Sequence, residues 1–231
     1  MALIDQEFVC LTIFRWCMQQ VNANHAGKDE QAAVKVWDRF LRFFHWTLVL
    51  CFATAFISGE VHLSEIHVLV GYVLCVLLAA RLFWGFKGSE YARFRAFIFP
   101  VSEAIEYLRS MLKGNPKHYY GHNPAGALMV FTLFGLLAAI FVSGLLTLGT
   151  IDFEGPLVFL ANRVTDESSY AFRHVHEFLP NVALALVVLH LLGVLVGSIQ
   201  HKENLVRAMI TGKKSPPKQS SSSSQNDKEE S

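Results

Sequence analysis

The chain carries ten histidines, and four of them recur at a spacing that could hold a metal centre. His45 and His190 lie several residues inside long apolar runs, where an ionisable or metal-binding side chain is costly enough to need a reason. His67 and His176 stand at the mouths of two such runs. His176 and His190 are fourteen residues apart. On an α-helix that is a rise of roughly 21 Å, and fourteen steps of ~100° nearly complete four turns, so both imidazoles project from one face at two depths. His45 lies fourteen residues before Gly59, at the far end of its run, which puts it near the depth of His190. His67 enters its run at about the depth of His176. The expected pairs are therefore His45 with His190 and His67 with His176.

Two imidazoles converging from facing helices suit the axial positions of a haem, whose flat apolar ring fills the space between helices while its propionates reach the interface. Zinc is the other metal for imidazole, but it wants three or four ligands at one depth. The four cysteines, Cys10, Cys17, Cys51 and Cys75, form no C-x-x-C or C-x-x-C-H pattern, which argues against zinc, iron–sulfur ligation and covalent haem. The other histidines carry less weight as ligands. His174 is sixteen residues before His190, on nearly the opposite face, and is expected at the interface. His62, in a loop, and His201, at the rim of the fourth run, are the reserve ligands. His122 is placed for a propionate or a quinone rather than for iron. Arg81 and Lys87 could neutralise propionates or simply anchor a helix end. Arg42 and His201 mark the region in which a quinone would be sought. Gly71, Gly126, Gly144 and Gly193 lie inside apolar runs, where a small residue admits either a neighbouring helix or a haem face.

What must position these side chains is a set of membrane spans. Of the 231 residues, 52% are hydrophobic and 17% charged, with a mean hydropathy of +0.35; this places the chain in the membrane class. A formal net charge of +1, spread over loops, excludes nucleic acid as a partner. Four windows reach the length of about 20 apolar residues that a bilayer core demands: about 40–59, 66–86, 125–149 and 177–199. The fold class expected is an all-α integral membrane protein, a four-helix bundle with haem between helices. The link between the first two spans is short, which makes them antiparallel neighbours. Lys28, Lys35, Arg39 and Arg42 precede the first span, and the connection from the second span to the third holds Lys87, Arg93, Arg95, Arg109, Lys113 and Lys117. The other two loops hold only Arg163 and Arg173. The positive-inside rule then predicts both termini in the cytoplasm.

Three segments lie outside the spans. Residues 1–35 form an N-terminal extension without the basic start or the small-residue cleavage site of a signal peptide. Residues 101–112 have apolar positions at Ile105, Leu108 and Leu112, the pattern of a short amphipathic helix on the headgroups. Residues 213–231, with Pro216, Pro217 and a serine run, read as a disordered tail. The haem domain expected between these ends is 36–212.

Across that domain the sequence resembles the bacterial cytochrome b561 family, which includes the membrane cytochrome b subunit of nickel–iron hydrogenases. The matching stretches are R-F-F-H-W at 42–46, I-H-V-L-V-G-Y at 66–72, R-L-F-W-G-F-K-G at 81–88, H-N-P-A-G-A at 122–127, H-E-F-L-P-N at 176–181, L-H-L-L-G around His190, and N-L-V-R-A-M-I-T-G-K at 204–213. The resemblance implies haem ligands at His45, His67, His176 and His190, the same four that spacing and depth select. It implies an electron carrier, or an oxidoreductase subunit, with two non-covalent haem b groups in the bacterial inner membrane. Its partners would be lipid, quinone or quinol, and a periplasmic c-type cytochrome or hydrogenase-like subunit. Two rivals from other classes are a stand-alone oxidase of superoxide coupled to quinone, which would want a basic funnel at the periplasmic mouth, and a non-redox membrane anchor.

Overall fold

The computed structural model describes residues 34–114, 117, 119, 121–201 and 203–214. Four of its helices are long and apolar enough to cross a membrane: α1 (Arg39–Glu60), α2 (Ser64–Lys87), α4 (Pro124–Thr150) and α5 (Asp166–Gln200). Two shorter helices complete the set, α3 (Val101–Leu112) and α6 (Leu205–Thr211).

Each start is chosen by local chemistry. Asp38 caps α1 by accepting from Leu41 N at 2.7 Å, and Asn123 caps α4 by accepting from Gly126 N at 2.7 Å, with Pro124 in the first turn. Thr165 caps α5 and is followed by Asp166 and Glu167, whose charges favour a helix N-terminus. Helix α5 therefore begins eleven residues before the apolar window opens at 177. The window measures the stretch that lipid can cover, whereas hydrogen bonding and the cap decide where the helix starts.

Helices α1 and α2 form one antiparallel hairpin and α4 and α5 the other, and each pair packs extensively along its length. Between the hairpins α2 touches α4, but α5 makes no more than marginal backbone contact with α1 or α2. The turn joining α1 to α2 holds His62 at φ 58° and returns Leu63 N to Ser58 O at 2.8 Å. The outer surfaces of the spans are apolar and exposed, with Leu50, Val76, Phe86, Phe178 and Ile199 among the most open side chains. Such a surface belongs in lipid.

The end where α1 begins is closed by both ends of the domain. Val36 N and Trp37 N donate to Gly212 O at 2.9 and 3.1 Å, and the Arg42 guanidinium donates to Ile210 O at the end of α6. Gly212 sits at φ 82°, a conformation that favours glycine, and a Cβ there would also collide with Trp37 O and Arg42. Helix α3 buries Ala104 and Tyr107 and leaves Val101, Ile105, Leu108 and Leu112 exposed. This is the amphipathic element expected at 101–112.

Candidate haem-binding site

The four selected histidines sit on three helices, His45 on α1, His67 on α2, and His176 and His190 on α5. At the Gly59 end of the bundle, the rings of His67 and His176 lie with centroids 5.8 Å apart and planes at 81°. His67 Nδ1 is 2.8 Å from Ala55 O on α1. His176 Nδ1 is 3.0 Å from Ile140 O on α4 and 3.3 Å from Ser143 Oγ. A carbonyl can only accept, so each Nδ1 carries the proton and donates, and in a neutral ring Nε2 then keeps its lone pair. The Ser143 hydroxyl can place its own proton on Ala139 O, 2.8 Å away, which leaves its oxygen free to accept from His176. Metal-binding imidazoles are held in this way, the far nitrogen tied to a carbonyl.

Toward the Asp38 end, His190 lies close enough to His45 for charges on the two rings to interact. The Nδ1 atom of His45 is buried without a hydrogen-bond partner. Positive side chains gather nearby. Arg81, only 3% exposed, donates from Nη2 to Ala92 O at 3.1 Å and lies over the Phe94 ring, while its Nη1 is buried with no partner. Lys214 is 7% exposed, stacks over Trp37 and reaches Tyr119 O at 3.5 Å. Burial pushes its ammonium below the ordinary lysine value, with Glu203 opposing. Asp38 faces Arg81 and accepts from Ser89 Oγ at 2.6 Å and Trp84 Nε1 at 2.9 Å. Burial alone would raise the Asp38 carboxyl, but these hydrogen bonds and the one from Leu41 outweigh it and hold the group below its ordinary range.

His122 lies between Trp37 and Phe97, with ring centroids at 4.7 and 4.5 Å, and its Nδ1 is buried without a partner. Burial, then the charges of Arg81, Lys214 and His190, push it down to about 3, so the ring is neutral at physiological pH. His201 caps α5 and its Nε2 meets Tyr107 OH at 3.3 Å, which ties α3 to the end of α5. Arg42 spends its guanidinium on the carbonyls of Asp38 and Ile210. His174 is exposed, 3.7 Å from Glu177, as its position on the far face of α5 requires. His62 is exposed and serves the turn.

These residues fit a haem on several counts. The outer rings are anchored with Nε2 left over, α5 is spaced from α1 and α2, and a Cβ on Gly71 or Gly193 would meet nothing within 4 Å. The buried guanidinium of Arg81 supplies positive charge where an anionic edge could lie. Among the described residues no three His, Cys, Asp or Glu side chains gather as a metal-ion site, so imidazole pairs are the arrangement on offer.

Three contributors were not foreseen. Lys214 falls two residues past the expected domain end at 212, yet its side chain is buried. Ser143 gains its role only from a partner on another helix. Asp38 alone had a local signal, an acidic cap immediately before an apolar run.

A model of prokaryotic cytochrome b561 matches residues 36–212. The chain belongs to this family. As a prokaryotic cytochrome b561 it is a multi-pass bacterial membrane protein of the b-type haem class. It is 29% identical over 143 residues to a probable Ni/Fe-hydrogenase B-type cytochrome subunit of Azotobacter vinelandii, covering 49% of this chain and 58% of that protein. It is 28% identical over 145 residues to a probable Ni/Fe-hydrogenase 1 B-type cytochrome subunit of Escherichia coli K12, covering 50% and 60%. A probable Ni/Fe-hydrogenase B-type cytochrome subunit of Rhizobium leguminosarum bv. viciae is 25% identical over 219 residues, covering 80% of this cytochrome and 90% of the relative. The chain thus spans under two thirds of the length of the first two relatives. No solved structure matches it.

Proposed function

We propose that this cytochrome b561 binds two haem b groups, one between His45 and His190 and one between His67 and His176, and carries electrons across the cytoplasmic membrane. The observation that carries the reading is the His67–His176 pair on α2 and α5, with both Nδ1 atoms tied to backbone carbonyls and a second histidine pair, on α1 and α5, toward the other end of the bundle. Haem bound there supplies reversible one-electron chemistry. The protein's own part is to hold the imidazoles in one tautomer, to exclude water from the spaced face of α5, and to compensate negative charge with Arg81 and Lys214. His122, kept neutral by burial, adds a polar but uncharged surface beside those cations. Arg42 and His201 are structural ties at the same end, through Ile210 O and Tyr107 OH.

The basic loops favour the Asp38 end as the cytoplasmic one, and on that reading His45–His190 is the inner pair and His67–His176 the outer. Quinone or quinol exchanges electrons at one side and a periplasmic carrier at the other. The names of the relatives favour a hydrogenase-like subunit over a c-type cytochrome as that carrier. The superoxide-oxidase reading finds less support, because Arg173 at the outer mouth is neutralised by Glu177 at 2.8 Å.

Proteoliposomes loaded with ferricyanide and given reduced quinol outside test the function. Haem-containing wild-type protein should bleach the trapped ferricyanide, and His190→Ala should not. Equal rates with wild-type and protein-free vesicles would contradict transmembrane transfer.

A further inference from the structure

Both rings of the outer pair are held by the same device on different helices. His67 donates to Ala55 O, and the residue four further along α1 is Gly59. His176 donates to Ile140 O, and the residue four further along α4 is Gly144. In an α-helix the carbonyl of residue i already accepts from the N–H of residue i+4, and the side chain at i+4 leans back over that carbonyl. A second donor can reach the oxygen only from the side this side chain would cover. A Cβ built on Gly59 would stand 3.2 Å from His67 Nδ1, and one built on Gly144 would stand 2.7 Å from His176 Cε1 and 3.1 Å from its Nδ1. A Cβ at Gly144 would displace the His176 ring from its acceptor, and one at Gly59 would make the His67 ring give by a few tenths of an ångström.

We infer that Gly59 and Gly144 are positioning residues for the outer haem, opening the carbonyls of Ala55 and Ile140 so that both axial imidazoles are held as Nδ1–H donors. The inference rests on the reading that His67 and His176 ligate that haem. Hydrogen bonding at Nδ1 makes an imidazole a more basic ligand, which favours the oxidised metal. His45 Nδ1 has no such partner. The outer centre is therefore the one whose potential these two glycines lower, and the inner centre is indifferent to them. Ser143 adds a second, weaker acceptor for His176 alone.

The test is redox titration of the two haem absorption bands in full-length protein, with electron paramagnetic resonance of the oxidised centres as a second readout. Gly144→Ala should raise the potential of one centre by about the ~59 mV that a tenfold change in a one-electron equilibrium represents, and shift its low-spin signal. Gly59→Ala should shift the same centre by less, because its Cβ contact is the looser one. Selective loss of that haem from Gly144→Ala, with the other intact, would be the stronger form of the same result. Gly135→Ala is the matched control on α4, since a Cβ there meets nothing within 4 Å, and it should leave both centres unchanged. Ser143→Ala introduces no clash and should still raise the potential of the same centre slightly. His67→Ala separates the two levels of the claim. If it retains both haems, the ligand reading fails; if it loses one haem while Gly144→Ala, Gly59→Ala and Ser143→Ala leave potentials and signals at wild-type values, the glycine inference is overturned.

Discussion

A histidine in a membrane span is ambiguous until the nitrogen that does not face the metal is accounted for. For His67 and His176 that nitrogen donates to Ala55 O and Ile140 O, which a packed core histidine could also do, but the two rings also lie with centroids 5.8 Å apart, each with an unprotonated Nε2 left over. Substitutions should sort by depth. His45→Ala and His190→Ala are each expected to remove the same haem, and His67→Ala and His176→Ala the other, as counted by extraction and by redox titration of the centre that remains. Loss of different haems from His45→Ala and His190→Ala would show that the wrong helices were paired. Asp38 carries a prediction of another kind. Replacing it by alanine removes a helix cap, at a cost of about 1 kcal/mol, and leaves Trp84 and Ser89 without their acceptor, so thermal unfolding in detergent should begin at lower temperature. Because the folded carboxyl titrates below its ordinary value of 3.8, its contribution is complete above that pH and is lost as pH falls through the folded value. The difference between wild type and Asp38→Ala should therefore shrink in acid. At this scale the four ligand candidates were legible from spacing alone, since fourteen residues on one helix leave little freedom in face or depth. Ser143 and Lys214 were not, because a serine in an apolar run and a lysine in a polar tail are ordinary until a partner residue far along the chain is known.

Helix α5 shows what an element adds to its residues. It runs from Asp166 to Gln200, longer than any bilayer core requires, and so presents His176 and His190 from one continuous helix. Proline at 180 cannot donate to the carbonyl four residues back, which is that of His176, and it loosens the helix beside that ring. Apolar windows found all four spans but missed the first three turns of α5, whose polar side chains carry a capped start rather than a lipid contact. The turn between α1 and α2 is a second case. His62 was a reserve ligand in the sequence, and the structure uses it at φ 58°, a backbone state that a non-glycine residue adopts at some cost. His62→Gly should therefore keep every haem and be neutral or slightly stabilising, by pyridine haemochrome and thermal melting. Haem loss on that substitution would return His62 to the ligand set.

For the whole molecule, orientation and cofactor number decide the function. Reporter fusions after Gly212 and within 152–167 should report opposite sides of the membrane, with the first in the cytoplasm; the same side for both would break the four-span topology. Fold class and span count were legible because lipid imposes a length and a composition on each span. The closure of the Asp38 end by Gly212, Arg42 and Lys214 was not, because it joins segments more than 160 residues apart. The most direct test of the central claim is a pyridine haemochrome assay on purified protein of known concentration. Two bis-histidine sites predict close to two acid-extractable haem b groups per chain with low-spin spectra; a ratio near one, or near zero, would contradict it.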